Sequence, residues 1–200
     1  MERVEKSVDP RVKRTRKLLQ QAFLELFEQK SFSTISIQDI TERATVNRAT
    51  FYAHFADKYE LLDSIIREQF QQAVASKLPL SPNWGARSLR LLIEAVFDYL
   101  NGFHSHCKPA NTQFHPLIER AVQQELAELL LGWLKQGKTS VVRPRVRLET
   151  MASVMSWAIF GTAAEWSRNE RTPSAAEMVN QVFLVLTEGG AHLTPALVAD

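Results

Sequence analysis

Apolar residues along this chain recur at the spacing of helix faces. Leu19, Phe23, Leu26 and Phe27 fall on one stripe, and Leu89, Leu92, Ile93, Val96, Phe97, Leu100 and Phe103 repeat the rhythm. So do Leu117, Ile118, Ala121, Val122, Leu126, Leu129, Leu130, Trp133 and Leu134, and later Val179, Val182, Phe183 and Leu186. Residues 151 to 166, "MASVMSWAIFGTAAEW", are apolar on nearly every face. No alternating pattern of strand length interrupts these helices, so the expected class is all-α.

Polar punctuation sets the helix starts. Asp9 followed by Pro10 opens the first helix, since Asp caps the free amides and Pro suits the first turn. Ser36 with Asp39 has the form of a capping box, Asn47 precedes Arg48 as a cap, and Asp57 with Glu60 opens the next long helix. Loops follow at "KLPLSPN", "SHCKPAN" and "GKTSVVRP"; Gly137 ends one helix, and Ser174 with Glu177 begins the last, which Gly189 and Gly190 close. No internal repeat or low-complexity segment stands out.

Composition adds limits. The chain has 200 residues, 45% of them hydrophobic, enough for one good core or for a small domain joined to a larger one. A net charge of +2 does not by itself imply nucleic acid, but its distribution is uneven: Arg11, Lys13, Arg14, Arg16 and Lys17 form an acid-free run. Cys107 is the single cysteine, so no intrachain disulfide forms, and a reducing cytoplasm is the expected location. The polar N-terminus lacks the apolar run of a signal peptide, and Met151 to Ala164 is too short to span a bilayer, so a soluble protein without a membrane role is expected.

The most informative stretch is "ISIQDITERATVNRATFYAHFADKYELL", residues 35 to 62. Two short helices joined at Ala44-Thr45-Val46, with Ile40, Ala44, Val46, Phe51 and Phe55 placed to bury, have helix-turn-helix spacing. Arg48, Ala49, Thr50, Tyr52 and His54 then fall on or beside the outward face of the second helix. Arg48 suits a guanine edge, Ala49 a thymine methyl, and Thr50 a base or a phosphate. Tyr52, His54 and Lys58 can donate to phosphates, Ser36 and Gln38 can reach phosphate or a neighbouring base, and the Arg11 to Lys17 run adds a salt-sensitive attraction.

These residues, from Ile35 to Ile40, Ala44, Val46, Thr50-Phe51-Tyr52, His54-Phe55, Lys58 and Glu60-Leu61-Leu62, resemble the DNA-binding domain of the TetR family of bacterial transcriptional regulators. The resemblance covers about the first third of the chain; the rest is similar only in layout. It implies an all-α homodimer whose N-terminal three-helix unit carries the helix-turn-helix, followed by a larger helical effector-binding and dimerisation domain whose final pair of long helices packs with the partner's pair. The expected domains are residues 9–56 and 57–200. The family's turn usually has Gly where Thr45 stands, and a β-branched residue there is costly if the backbone takes positive φ.

The body suggests two further sites. A helix as apolar as Met151 to Trp166 needs cover on several sides, which a partner subunit or the remaining helices of a monomeric bundle can supply. With a partner, Trp157, Gly161, Ala164, Val179, Val182, Phe183 and Leu186 form the dimer interface, with Ala158 also small enough for close approach. Phe97, Phe103, Trp133, Trp157 and Phe160 are candidates to enclose an apolar effector, although aromatic residues at this spacing are often plain core.

The expected function is that of a homodimeric repressor holding double-stranded operator DNA of pseudo-palindromic sequence and released by a small-molecule effector. A same-fold regulator with no effector, or one governed by a protein partner, is the alternative. From another class comes a metal- or thiol-dependent enzyme around His104, His106, Cys107 and His115, but their spacing is weak, and no phosphate loop, nucleophile elbow or His-Glu-x-x-His run is present. No catalytic residue, resident metal or cofactor is expected. Arg143, Arg145 and Arg147 are read as a charged helix start rather than an anion site.

Overall fold

The computed structural model describes residues 9–79, 85–106, 115–136, 146–169 and 172–189. Among these no strand occurs, and the fold is all-α as expected. The elements are α1 (Pro10–Gln29), a 3-10 turn (Phe32–Thr34), α2 (Ile37–Arg43), α3 (Arg48–Tyr52), α4 (Lys58–Lys77), α5 (Ala86–His106), α6 (His115–Gln136), α7 (Leu148–Arg168) and α8 (Ala175–Glu188). Packing divides the chain into two units, one ending at Ile66 and one beginning at Arg67. The division falls inside α4.

The first unit is built around aromatic side chains. The buried stripe of α1 is Leu19, Ala22, Phe23 and Leu26. The Phe23 ring centroid lies 5.7 Å from that of Phe27 and 5.9 Å from that of Phe32, and Phe32 meets Tyr59 edge-on at 5.1 Å. Phe51 and Phe55, 5.9 Å apart, bring the second helix of the motif into this core, with Ile35, Ile40, Leu61, Leu62, Ile65 and Ile66 also buried. Each such side chain contributes about 1.5–3 kcal/mol by leaving water. A five-residue helix gains little from its own hydrogen bonds, so this burial is what holds α3 in place.

In the second unit, α7 packs on α5, α6 and α8, the arrangement its nearly continuous apolarity requires. Ala152, Met155, Ile159, Phe160, Ala163 and Ala164 are buried, and the Phe97 ring lies 5.4 Å from Trp166. Trp166 donates its indole N–H to the Pro173 carbonyl at 2.8 Å, and Ser174 and Glu177 form the expected capping box of α8. Gly189 ends α8 at φ 76, a value that favours glycine. Arg67 on α4 holds Glu125 and Gln124 of α6, both at 2.7 Å.

The body residues named from sequence separate on this scaffold. Phe97, Trp133 and Phe160 are interior and Phe103 is half-buried, but Trp157 is 58% exposed and lines no interior space of its own chain. Ala164 and Val179 are covered by their own chain, and Val182 is nearly so. On α7 and α8 the large apolar side chains that stand outward are Val154, Trp157 and Val185, with Gly161, Phe183 and Leu186 half-buried. A groove of about 190 Å³ runs between α7 and α8, lined by Ala158, Thr162, Met178, Val182 and Val185 among others. Cys107 and the side chains of His104, His106 and His115, together with Gly137, Arg143, Arg145 and Gly190, lie outside the described part of the molecule; Arg147, at the start of α7, is exposed.

Candidate nucleic-acid interface

The helix-turn-helix is held by three local devices. Ser36 caps α2: its hydroxyl accepts from the Asp39 amide at 3.1 Å, while the Asp39 carboxylate accepts from the Ser36 amide and hydroxyl, both at 2.7 Å. Lys30 adds an ion pair to the same carboxylate at 2.9 Å. These contacts, the Ser36 amide foremost, hold the Asp39 carboxyl down at about 2, below its ordinary 3.8. At the other end of α2, Val46 N–H donates to Thr41 C=O at 3.0 Å and Thr45 N–H to Glu42 C=O at 3.1 Å, a Schellman closure. Thr45 occupies its left-handed position at φ 56. The positive φ feared for this residue is therefore real, and the turn keeps its shape around it. Third, Asn47 caps α3, its side-chain oxygen accepting from the Thr50 amide at 2.7 Å and the Thr50 hydroxyl at 2.9 Å.

With Phe51 inward, Arg48, Ala49 and Tyr52 are exposed on α3, and Thr50 is half-exposed. Gln38 and Ser36 are exposed on α2. Gln38 donates to Glu42 at 2.8 Å, and the Ser36 proton is given to Asp39, which leaves oxygen lone pairs rather than a free donor at Ser36. Thr50 is in the same position, because Asn47 takes its proton. Arg48, Tyr52 and Gln38 are thus the outward donors with reach.

Two tertiary ties complete the unit, and sequence reasoning missed both. Arg16, one of five cations in an undifferentiated run, donates to the His54 carbonyl at 3.2 Å and lays its guanidinium 4.3 Å over the Phe55 ring. It secures the end of α3 to α1, and His54 itself is half-buried. Lys58 donates to the carbonyls of Ile35 (2.7 Å), Phe32 (2.9 Å) and Ser33 (3.3 Å). Burial lowers its pKa, partly opposed by the Asp39 charge. The start of α4 is capped by Asp57, which accepts from Tyr59 and Glu60, both at 2.8 Å, while Glu60 accepts from Ala56 at 2.5 Å.

The arrangement places one short helix with outward Arg, Ala and Tyr on a rigid three-helix support, the geometry that enters a major groove. No helix among the described residues is long and apolar enough to cross a membrane, and no group of three metal-binding side chains occurs among them.

Known proteins match this part of the chain. Residues 19–65 fit the family model described as bacterial regulatory proteins, tetR family. The chain is 45% identical over 71 residues to the uncharacterized HTH-type transcriptional regulator YxbF of Bacillus subtilis, covering 35% of this chain and 19% of that protein. It is 31% identical over 78 residues to the transposon Tn10 TetC protein of Escherichia coli, covering 38% and 39%. Against the HTH-type transcriptional repressor DhaR of a Mycobacterium species the figures are 25% over 121 residues, 59% and 61%. The chain therefore spans less than two thirds of the length of each of these relatives. Among solved structures, FadR of Thermus thermophilus, a TetR-family repressor in complex with lauroyl-CoA, superposes with a TM-score of 0.51 at 21% identity, covering 88% of this chain and 94% of that one. FadR of Bacillus subtilis in complex with stearoyl-CoA gives 0.50 at 17% identity, covering 86% and 98%. At such identities the likeness is one of fold. Residues 19–65 thus match the model of the tetR family of bacterial regulatory proteins, and the remainder of the chain is similar to such regulators in fold.

Proposed function

We propose that the protein is a homodimeric transcriptional repressor that binds a pseudo-palindromic operator through α3 and is released by a small-molecule effector. The observation that carries the reading is the division of α3. Phe51 is wholly buried while its neighbours Arg48, Ala49 and Tyr52 stand outward on a helix capped by Asn47. Arg48 is placed for the major-groove edge of guanine and Ala49 for a thymine methyl; Tyr52 and Gln38 serve the flanking phosphates. The exposed cations of α1, Arg11, Lys13, Arg14 and Lys17, add attraction that falls with salt.

A single motif of this size buries little surface, and two copies related by a twofold axis supply the rest. The outward Val154, Trp157 and Val185 beside the α7–α8 groove are the natural face for the second copy. An effector held among the interior aromatics of the second unit weakens DNA binding only by its differential affinity for two conformations of the dimer.

Selection of bound duplexes from a random library, run side by side for wild type and Arg48→Ala, tests the proposal. The wild type is expected to enrich a palindrome, and the variant to relax one position per half-site by about 5- to 150-fold, the value of about 1–3 kcal/mol for a bidentate base contact. A well-folded wild type that enriches nothing refutes it.

A further inference from the structure

Lys58 has its ammonium 4.7 Å above the Phe32 ring and within 3.3 Å of three carbonyl oxygens, those of Ile35, Phe32 and Ser33. An ammonium has three protons and no acceptor capacity, so three carbonyls exhaust it. The carbonyls belong to the 3-10 turn and to the residue just before Ser36, the cap of α2. Lys58 is also the first residue of α4. One side chain therefore joins the start of α4 to the start of α2, across at least 23 residues of chain.

We propose that Lys58 is a positioning residue for the recognition helix, a clamp on the 32–35 carbonyls that fixes how α2 and α3 leave α4, and that it makes no contact with DNA phosphate. The inference rests on the reading of α3 as the DNA reader. A phosphate contact would require Lys58 to abandon charge-assisted bonds already made at 2.7 and 2.9 Å. The clamp also demands lysine specifically. Three carbonyls around one point suit a compact ammonium, whereas a planar guanidinium spreads its donors over a fork and does not fit the same space. At a phosphate the preference would be neutral or reversed, because arginine binds phosphate at least as well.

The experiment compares wild type, Lys58→Met and Lys58→Arg for binding to the duplex selected by the wild type, across a range of salt, and to the same duplex with a single base pair inserted at its centre. Both variants are expected to bind about tenfold or more weakly. The slope of log affinity against log salt should stay as in the wild type, and discrimination against the altered spacing should shrink. A residue that only added stability would shift the melting temperature without changing spacing discrimination. Arginine binding as well as lysine, with methionine lowering the salt slope by about one, would overturn the clamp in favour of a phosphate contact. Unchanged binding and spacing in both variants would overturn it too.

The wild-type protein offers a readout that needs no variant to fold. With isotope-labelled lysine, the Lys58 Nζ protons should exchange slowly with water in the free protein and keep their shifts when DNA is added. Rapid exchange, or a shift on binding, refutes the clamp. If the wild type selects no duplex, the reader assignment fails by itself, and the free-protein exchange rate still decides whether the tie exists.

Discussion

Replacing Thr45 with glycine isolates the conformational cost of one residue. Thr45 sits at φ 56, in a region where a Cβ crowds the following carbonyl at about 1–2 kcal/mol. Its side chain is exposed, so the substitution removes no core packing. Against this relief stands the extra freedom glycine brings to the unfolded chain, about 0.4–1 kcal/mol. The difference is a net stabilisation of about 1 kcal/mol or less. In a chain of 150–250 residues that is a rise of up to about 2–4 °C in melting temperature. Calorimetry together with urea unfolding would measure it. Thr45→Asn should fall between threonine and glycine, since asparagine visits the left-handed region more readily than a β-branched residue. Because the amides of Thr45 and Val46 keep their acceptors in every variant, binding to selected DNA should not change. A fall in melting temperature for Thr45→Gly, or a reversal of the glycine, asparagine, threonine order, would show that the hydroxyl or methyl of Thr45 stabilises the turn by more than the backbone strain costs.

Two other perturbations address different parts of the molecule. Trp157→Glu places a charge on an exposed apolar position without opening the core, so sedimentation should report a dissociation constant raised by about 30-fold or more, the scale of a 2 kcal/mol interface anchor; an unchanged dimer would remove this face from the interface. The Asp39 carboxyl is held at about 2 against an ordinary 3.8, so the unfolded state binds its proton first as pH falls. Its contribution to stability is complete above about 4 and is lost as the pH drops towards 2. Asp39→Asn should flatten the acid limb of the stability curve in that window, and a limb identical to that of the wild type would contradict the assignment.

Local chemistry was readable from the sequence wherever a cap or turn depends on neighbours a few residues apart. Asp9 before Pro10, Ser36 with Asp39, Asn47, Asp57, and Ser174 with Glu177 all perform the capping expected of them. The burial of Ile40, Ala44, Phe51 and Phe55 followed from periodicity. What escaped was long-range. Arg16 looks like any other member of a basic run until the His54 carbonyl, 38 residues later and just past α3, meets its guanidinium. Lys58 has the right charge for phosphate, and only the fold delivers three carbonyls to it. In the body, apolar periodicity identified the faces of α7 and α8 but not which stripe is taken by α5 and α6. For that reason the exposed Val154 and Val185 went unnoticed. Serine and threonine protons are a subtler case, because composition marks them as donors while Asp39 and Asn47 have already taken those of Ser36 and Thr50.

The course of α4 bears on how such a protein can be recombined. Leu61, Leu62, Ile65 and Ile66 are buried, and the change from one unit to the next falls immediately after them, inside a continuous helix. A reader excised at Asp57 would therefore leave behind part of its own hydrophobic interior, and no flexible tether offers itself as a seam. Grafting this reader onto another body calls for a splice within α4 that conserves helical phase. A single residue inserted between Ile66 and Arg67 would turn everything downstream by about 100° and advance it by about 1.5 Å. Chimeras whose splices differ only in residue count should accordingly regain function with the period of an α-helix rather than tolerate any length, as they would if the halves hung on a linker.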